Sequence, residues 1–162
     1  MQTEEMQMLQ TQTTTKFEAL INVIAEKQDL IPTYATAGAA GADLKANVKE
    51  PIVIAAHQMK MIPTGIRLEI PAGFEVQIRP RSGLAAKSMV TVLNSPGTID
   101  SDYRGEINVL LINHSEQDFV VTYGMRIAQM VVAPVCIAQF CEVSQLSEST
   151  RGQGGFGHTG TH

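Results

Sequence analysis

The sequence has no tryptophan, and aromatic residues fill only 5% of its 162 positions. A hydrophobic core must therefore be built from Val, Ile, Leu, Ala and Met. The apolar share of 44% is enough for one domain of this length. Cysteine is nearly absent, with only Cys136 and Cys141. In an extended segment these two stand about 17 Å apart. A disulfide needs alpha carbons about 4.4–6.8 Å apart, so both thiols are expected to be free, as in a reducing compartment. No apolar run approaches the length of a membrane span. An excess of positive charge is missing too, since the net charge is −4. That argues against broad nucleic-acid binding, though a local arginine cluster can still hold one small anion. The start, MQTEEMQMLQTQTTTKF, lacks an apolar stretch and arginine and carries Glu4 and Glu5, unlike a secretory or transit peptide. The expectation is an intracellular protein, cytoplasmic or nuclear, with no membrane and no nucleic-acid partner.

What is present is a series of short apolar stretches separated by turn chemistry. They read PIVIA, IRLEI, FEVQI, INVLLI, FVVTY, RIAQMVV and VCIAQF. Several alternate with a period of two. Ile66, Leu68 and Ile70 face one way and Arg67 and Glu69 the other, and Phe74, Val76 and Ile78 oppose Glu75 and Gln77. PAG, SPGT, SDYRG and NHSEQD lie between them as turns. Many short strands at this spacing predict an all-β barrel or sandwich. One short helix is predicted, over SGLAAKS, residues 82–88. Residues 1–16 read as a flexible polar tail, 17–148 as the β domain and 149–162 as a glycine-rich arm. From Phe17 to Leu30 the pattern decides between neither helix nor strand.

Five segments are not explained by a β core alone. In AGAAGADLKA, residues 37–46, small residues allow close backbone approach before Asp43; a glycine-rich loop with a turn-forming Asp fits equally. In RPRSGLAAK, residues 79–87, Arg81, Ser82 and Gly83 stand at the start of the short helix. A helix N-terminus with Arg and Ser beside it suits a phosphate, and an N-cap Ser with a solvated Arg is the alternative. In VLNSPGTIDSDYRGEI, residues 92–107, Asn94 to Gly97 form a tight hairpin-like turn. Asp100 and Asp102 point the same way if the chain is extended, and two close carboxylates repel unless something intervenes. Solvated turn aspartates explain them as well. In YGMRIAQMVV, residues 123–132, Arg126 and Gln129 share a face only if the strand is bulged. Last, RGQGGFGHTGTH places Arg151 and Phe156 among five glycines. Such an end is commonly disordered, yet glycine N–H groups can wrap phosphates while a ring stacks on a planar base.

In order, AGAAGADL, PRSGLA, GTIDSDYRGEI, GMRIAQMV and RGQGGFGHTG resemble the five motifs of the trimeric deoxyuridine triphosphatase (dUTPase) family. The likeness covers about residues 32–160. It implies a jelly-roll-like β domain, a homotrimer with active sites shared among three chains, and hydrolysis of dUTP to dUMP and pyrophosphate. That reaction keeps uracil out of DNA and supplies dUMP for thymidylate synthesis. Carried over, Asp100 activates the attacking water and meets the 3′-hydroxyl. Tyr103 lies under the sugar and excludes ribose. Asn94, Gly97, Thr98 and Ile99 present the turn that reads uracil. Arg81, Ser82 and Gly83 hold phosphates, and Gln129 reaches the α-phosphate. Arg151, Gly157, His158 and Thr159 close over the outer phosphates, with Phe156 stacked on the base. Asp43 supports this region. Mg²⁺ rides on the triphosphate and its waters, without a protein ligand. His158 departs from the family pattern, where Ser is frequent, and the stretch to about Lys16 has no counterpart in compact members.

Three rival readings compete with this one. A dCTP deaminase shares this fold but needs a Glu near the base. No Glu occurs from Val76 to Gly105, and the deaminases lack the glycine-rich end. A binding module without turnover, or a bare structural jelly roll, would have no use for Asp100 and the arm together.

Overall fold

The computed structural model describes residues 19–155. The predicted tail, residues 1–16, lies outside them, as do Phe156, Gly157, His158 and Thr159. Twelve strands and one α-helix follow in order. They are β1 (Asn22–Ala25), a 3₁₀ turn (Gln28–Leu30), β2 (Thr33–Tyr34), β3 (Ala42–Lys45), β4 (Ile52–Ile54), β5 (Met59–Pro63), β6 (Ile66–Glu69), β7 (Phe74–Arg79), α1 (Ser82–Ser88), β8 (Val90–Val92), β9 (Gly97–Ile99), β10 (Asn108–Asn113), β11 (Phe119–Val121) and β12 (Arg126–Pro134). The strands form sheets ordered β1-β6, β5-β10-β8, β11-β4 and β2-β3-β12-β7-β9, with every pair antiparallel.

All four sheets turn an apolar face into one core. Leu44, Ile54, Ile62, Ile66, Val76, Val90, Val109, Leu111, Val121 and Ile127 are fully buried there. The period-two reading holds where it was clearest. Ile66, Leu68 and Ile70 are buried while Arg67 and Glu69 are exposed. The fold is the expected all-β, jelly-roll-like architecture with one short helix. No helix among the described residues is long and apolar enough to cross a membrane.

Asn113, fully buried, stitches the core's end. Its amide donates to Ile54 O at 3.0 Å and Gln117 O at 2.7 Å, and its oxygen accepts from Ser115. Tyr123 joins the chain's start to the foot of β12. Its hydroxyl donates to both Asp29 oxygens at 2.9 Å, and Lys27 sits 4.1 Å over its ring. Desolvation first, then the Asp29 hydrogen bond and charge, raise the phenol's pKa, so the group stays a donor.

Several expectations need correction. VCIAQF was expected to be a strand, but residues 136–140 form none and are exposed. A strand needs an edge to pair with, and β7, the partner of β12, is already used up at Phe74. Ile137 and Phe140 stand 87% and 95% exposed beyond it. The turn Asn94–Gly97 is no hairpin: β8 pairs with β10 and β9 with β7, so the turn carries the chain from one sheet to another. The segment after Ile99 is not extended, because Tyr103 N–H donates to Asp100 O at 3.2 Å and closes a turn. The even spacing of Asp100 and Asp102 therefore puts them around a bend. ADLK, read with the glycine-rich loop, is a strand. Cys136 and Cys141 are free, as expected.

Candidate active site

The cleft is made by three separate segments of chain. The loop from Ala35 to Gly41 forms one wall, the β7–α1 junction a second, and β12 the third. It encloses about 320 Å³. Close approach of the first wall to the third favours glycine: a Cβ on Gly41 would meet Gln129 Oε1 at 2.7 Å, so the end of the Gln129 side chain would have to leave its place in the cleft. That is the physical reason for small residues at this point in the sequence.

The third wall depends on an irregularity. Arg126 pairs with Lys45 but Ala128 with Leu44, so β12 carries an extra residue at Ile127. Ile127 and Ala128 are both buried, and the alternation restarts after them. The bulge is the condition under which Arg126 and Gln129 share a face, and both line the cleft.

Asp43 lies at the centre, on β3, only 7% exposed. Two guanidinium groups hold it. Arg126 Nη1 donates to Oδ2 at 3.1 Å. Arg81 Nε lies 3.1 Å from Oδ1, close enough for an ion pair though poorly aligned for a hydrogen bond. Arg81 Nη1 also donates to Arg126 O at 3.2 Å. Arg81 is thus the N-cap of α1 and not a solvated side chain, and Ser82 is the first helical residue rather than the cap. Ser82 and Gly83 follow, exposed, with first-turn N–H groups that a helix leaves unpaired. Three arginines, Arg79 included, line the cleft against one aspartate, so it is cationic in an acidic chain. Replacing Asp43 by alanine leaves two guanidinium groups facing each other. The expected loss of stability is about 2–3 kcal/mol, below the usual range for breaking a fully buried pair because Arg126 is half exposed. Urea unfolding measures it.

Asp100 is elsewhere. It lines a second cavity of about 210 Å³ with Gly73, Phe74, Glu75, Ser101, Val135 and Ile137, and the two cavities share no lining residue. The Asp100 carboxylate makes no hydrogen bond or ion pair among the described residues. Tyr103 projects beside it, 44% exposed, its hydroxyl donating to Glu106 O at 3.0 Å. Gly105 has no room for a side chain, since a Cβ would strike the Tyr103 ring and hydroxyl. Gly97, Thr98 and Ile99 form β9 against Ile78, Gln77 and Val76, and the Asn94 amide folds to within 3.1 Å of where a Gly97 Cβ would sit. Arg151 lies in a local turn, its Nε donating to Gly154 O at 2.8 Å.

The single chain therefore brings together Asp43, Arg81 and Gln129, and separates Asp100 from them. Arg79 and Arg126 are the charged cleft residues that sequence reasoning did not select. The spacing of Arg126 from Gln129 was noticed, but alternation alone sends the two to opposite faces, and nothing in the string announces a bulge.

These features define an all-β protein with a cationic cleft suited to an oxyanion and a solvated carboxylate on a separate turn. The dUTPase family profile matches residues 27–160. The deoxyuridine 5'-triphosphate nucleotidohydrolase of Chlamydia pneumoniae is 60% identical over 131 residues, covering 80% of this chain and 90% of that protein. The Staphylococcus bacteriophage 80alpha dUTPase, in a structure with dUpNHpp, superposes with a TM-score of 0.75 at 22% identity, over 88% of this chain and 99% of that one. The dUTPase of phage phi11 of S. aureus, described with a structural Mg(II) ion, gives 0.71 at 18% identity, over 80% and 99%. The chain belongs to the dUTPase family.

Proposed function

We infer that this chain hydrolyses dUTP to dUMP and pyrophosphate, limiting uracil in DNA and supplying dUMP. One observation carries the reading beyond family membership. Asp43 holds Arg81 beside Arg126 in a cleft walled by Gln129 and the glycine-rich loop. A triphosphate is the ligand that such a cleft suits, because preset guanidinium groups bind phosphate oxygens through charge-assisted hydrogen bonds.

The reaction needs a water activated at the α-phosphorus. The Asp100 carboxylate is the base: it takes a proton from the water as the water oxygen bonds to phosphorus. The bond from the α-phosphorus to its bridging oxygen breaks, and pyrophosphate departs. Arg81, Ser82 and Gly83 hold the phosphates, and Gln129 stands at the α-phosphate. Tyr103 packs under deoxyribose and leaves no space for a 2′-hydroxyl. Asn94, Gly97, Thr98 and Ile99 read the edge of uracil. Arg151, Phe156, Gly157, His158 and Thr159 close over the ligand, and Asp43 acts by orienting the arginines.

Mg²⁺ fits this site as a companion of the substrate. The one acid inside the cleft, Asp43, has both oxygens facing guanidinium groups, which leaves phosphate oxygens and water as donors. When bound, the ion neutralises charge that develops on the leaving pyrophosphate.

The active form is a homotrimer. Two observations support it. Asp100 and Arg81 line different cavities of one chain, so one protomer's turn must reach another's cleft. An apolar sheet face is also uncovered. Met59 and Met61 on β5 pair with Ile112 and Leu110 on β10, beside exposed Leu93. A face of that kind is usual at an interface. Pyrophosphate release measured with dUTP, dCTP, dTTP and UTP tests the function. Turnover of dUTP alone is the expected result, and deamination of dCTP or no turnover at all would sink it.

A further inference from the structure

The turn that carries Asp100 and Tyr103 is exposed and joins β9 to β10 with little packing of its own. Its one internal backbone bond is Tyr103 N–H to Asp100 O, at 3.2 Å. Such a turn would sample many geometries, yet both of its side chains need fixed positions in the reaction inferred above.

Arg104 restrains it. Its side chain folds back over the turn, and Nη1 donates to Ser101 O at 2.7 Å and to Tyr103 O at 2.9 Å. These carbonyls flank Asp102, so one guanidinium nitrogen spans the bend. The far side of the guanidinium points away from the turn, with Nη2 at 4.0 Å from Glu69 Oε1 on β6. Glu69 in turn accepts from Asn22 Nδ2 on β1 at 2.7 Å. The turn thereby faces the β1-β6 sheet, which gives no residue to the cleft, across a long and solvated ion pair that adds little to its restraint. On its other side Tyr103 is held by Glu106 O, and Glu106 Oε1 accepts the Gly65 N–H at 2.9 Å. Arg104 is the only side chain among the described residues that donates to the carbonyls of Ser101 and Tyr103.

We propose that Arg104 is a positioning residue for Asp100 and Tyr103 together, and so sets both water activation and the choice of deoxyribose over ribose. The proposal rests on the dUTP-hydrolysis reading. A guanidinium suits the task because the two N–H groups of one nitrogen lie in the fixed plane and can serve two carbonyls while the other nitrogen faces a carboxylate. An ammonium keeps the charge but loses the fixed fork.

The test uses the full chain carrying Arg104→Ala or Arg104→Lys. Assembly and melting are checked first, then kcat and KM for dUTP and kcat/KM for UTP. Loosening the turn should lower kcat on dUTP about 10–100-fold with a much smaller change in KM, since small misplacements of reacting groups have costs of this order. The preference for dUTP over UTP should fall about tenfold, as the sugar contact loosens with the base. Lysine should fall between arginine and alanine on both measures. A role confined to folding would reduce the active fraction and leave the dUTP-to-UTP preference unchanged, and that result overturns the proposal. So does an alanine variant with wild-type kcat. If the alanine variant does not assemble, the lysine variant decides by the same preference ratio. Failure of the underlying reading is visible separately, as an unmodified chain that releases no pyrophosphate from dUTP.

Discussion

Changing Asp100 to asparagine is expected to lower kcat on dUTP by about 10²–10⁴, the usual worth of a positioned general base. Binding of dUTP should change little, because in the reading proposed above the phosphate contacts come from Arg81, Gln129 and their neighbours. The substitution is nearly isosteric and the site is exposed, so folding is not at stake. Among the described residues the carboxylate has no partner that its loss would leave stranded. A fall in kcat with unchanged dUTP affinity and melting temperature is therefore the signature of lost proton transfer. If the asparagine protein turned over at wild-type speed, another group would have to be the base.

Removing residues 151–162 is the second large effect. Turnover should drop about 10²–10³-fold, as closure over the ligand excludes water and completes the phosphate contacts. The trimer inferred above should persist, because among the described residues none of the buried core residues lies beyond Met130. The shared site gives a sharper form of this test. The truncated chain still has Asp100, and the Asp100→Asn chain still has its arm. Co-expressed in equal amounts with different tags, the two inactive chains should form mixed trimers. A site works when its carboxylate comes from one type and its arm from the other, so about a quarter of the sites should be active under closed threefold symmetry. No recovery on mixing would mean that arm and carboxylate act from the same chain. Because the arm and Asp100 reach a site from different protomers in this reading, the experiment separates that arrangement from a self-contained subunit.

The sequence disclosed the fold where the two-residue period was unbroken. β6 and β7 were legible because every second residue is apolar and the others are charged or amide. The short helix was legible at both ends, Ser82 and Ser88. β2, β3 and β9 were not, since the stretches TY, ADLK and GTI have no apolar alternation to mark them. VCIAQF misled because apolar alternation reports a preference for pairing and not the presence of an edge to pair with. The cleft was partly legible. Asp43, Arg81 and Gln129 stood out in their local motifs, but only register through β12 brings them to one place. Arg126 escaped because its direction depends on an extra residue whose presence shows only in cross-strand pairing.

That extra residue has a consequence for length. Deleting Ile127 would leave Arg126 and Gln129 two apart, where plain alternation keeps them on one face without any bulge. The loss would fall on the core instead, because Ile127 is fully buried. A single-codon deletion here should therefore cost stability before it changes the direction of either polar side chain.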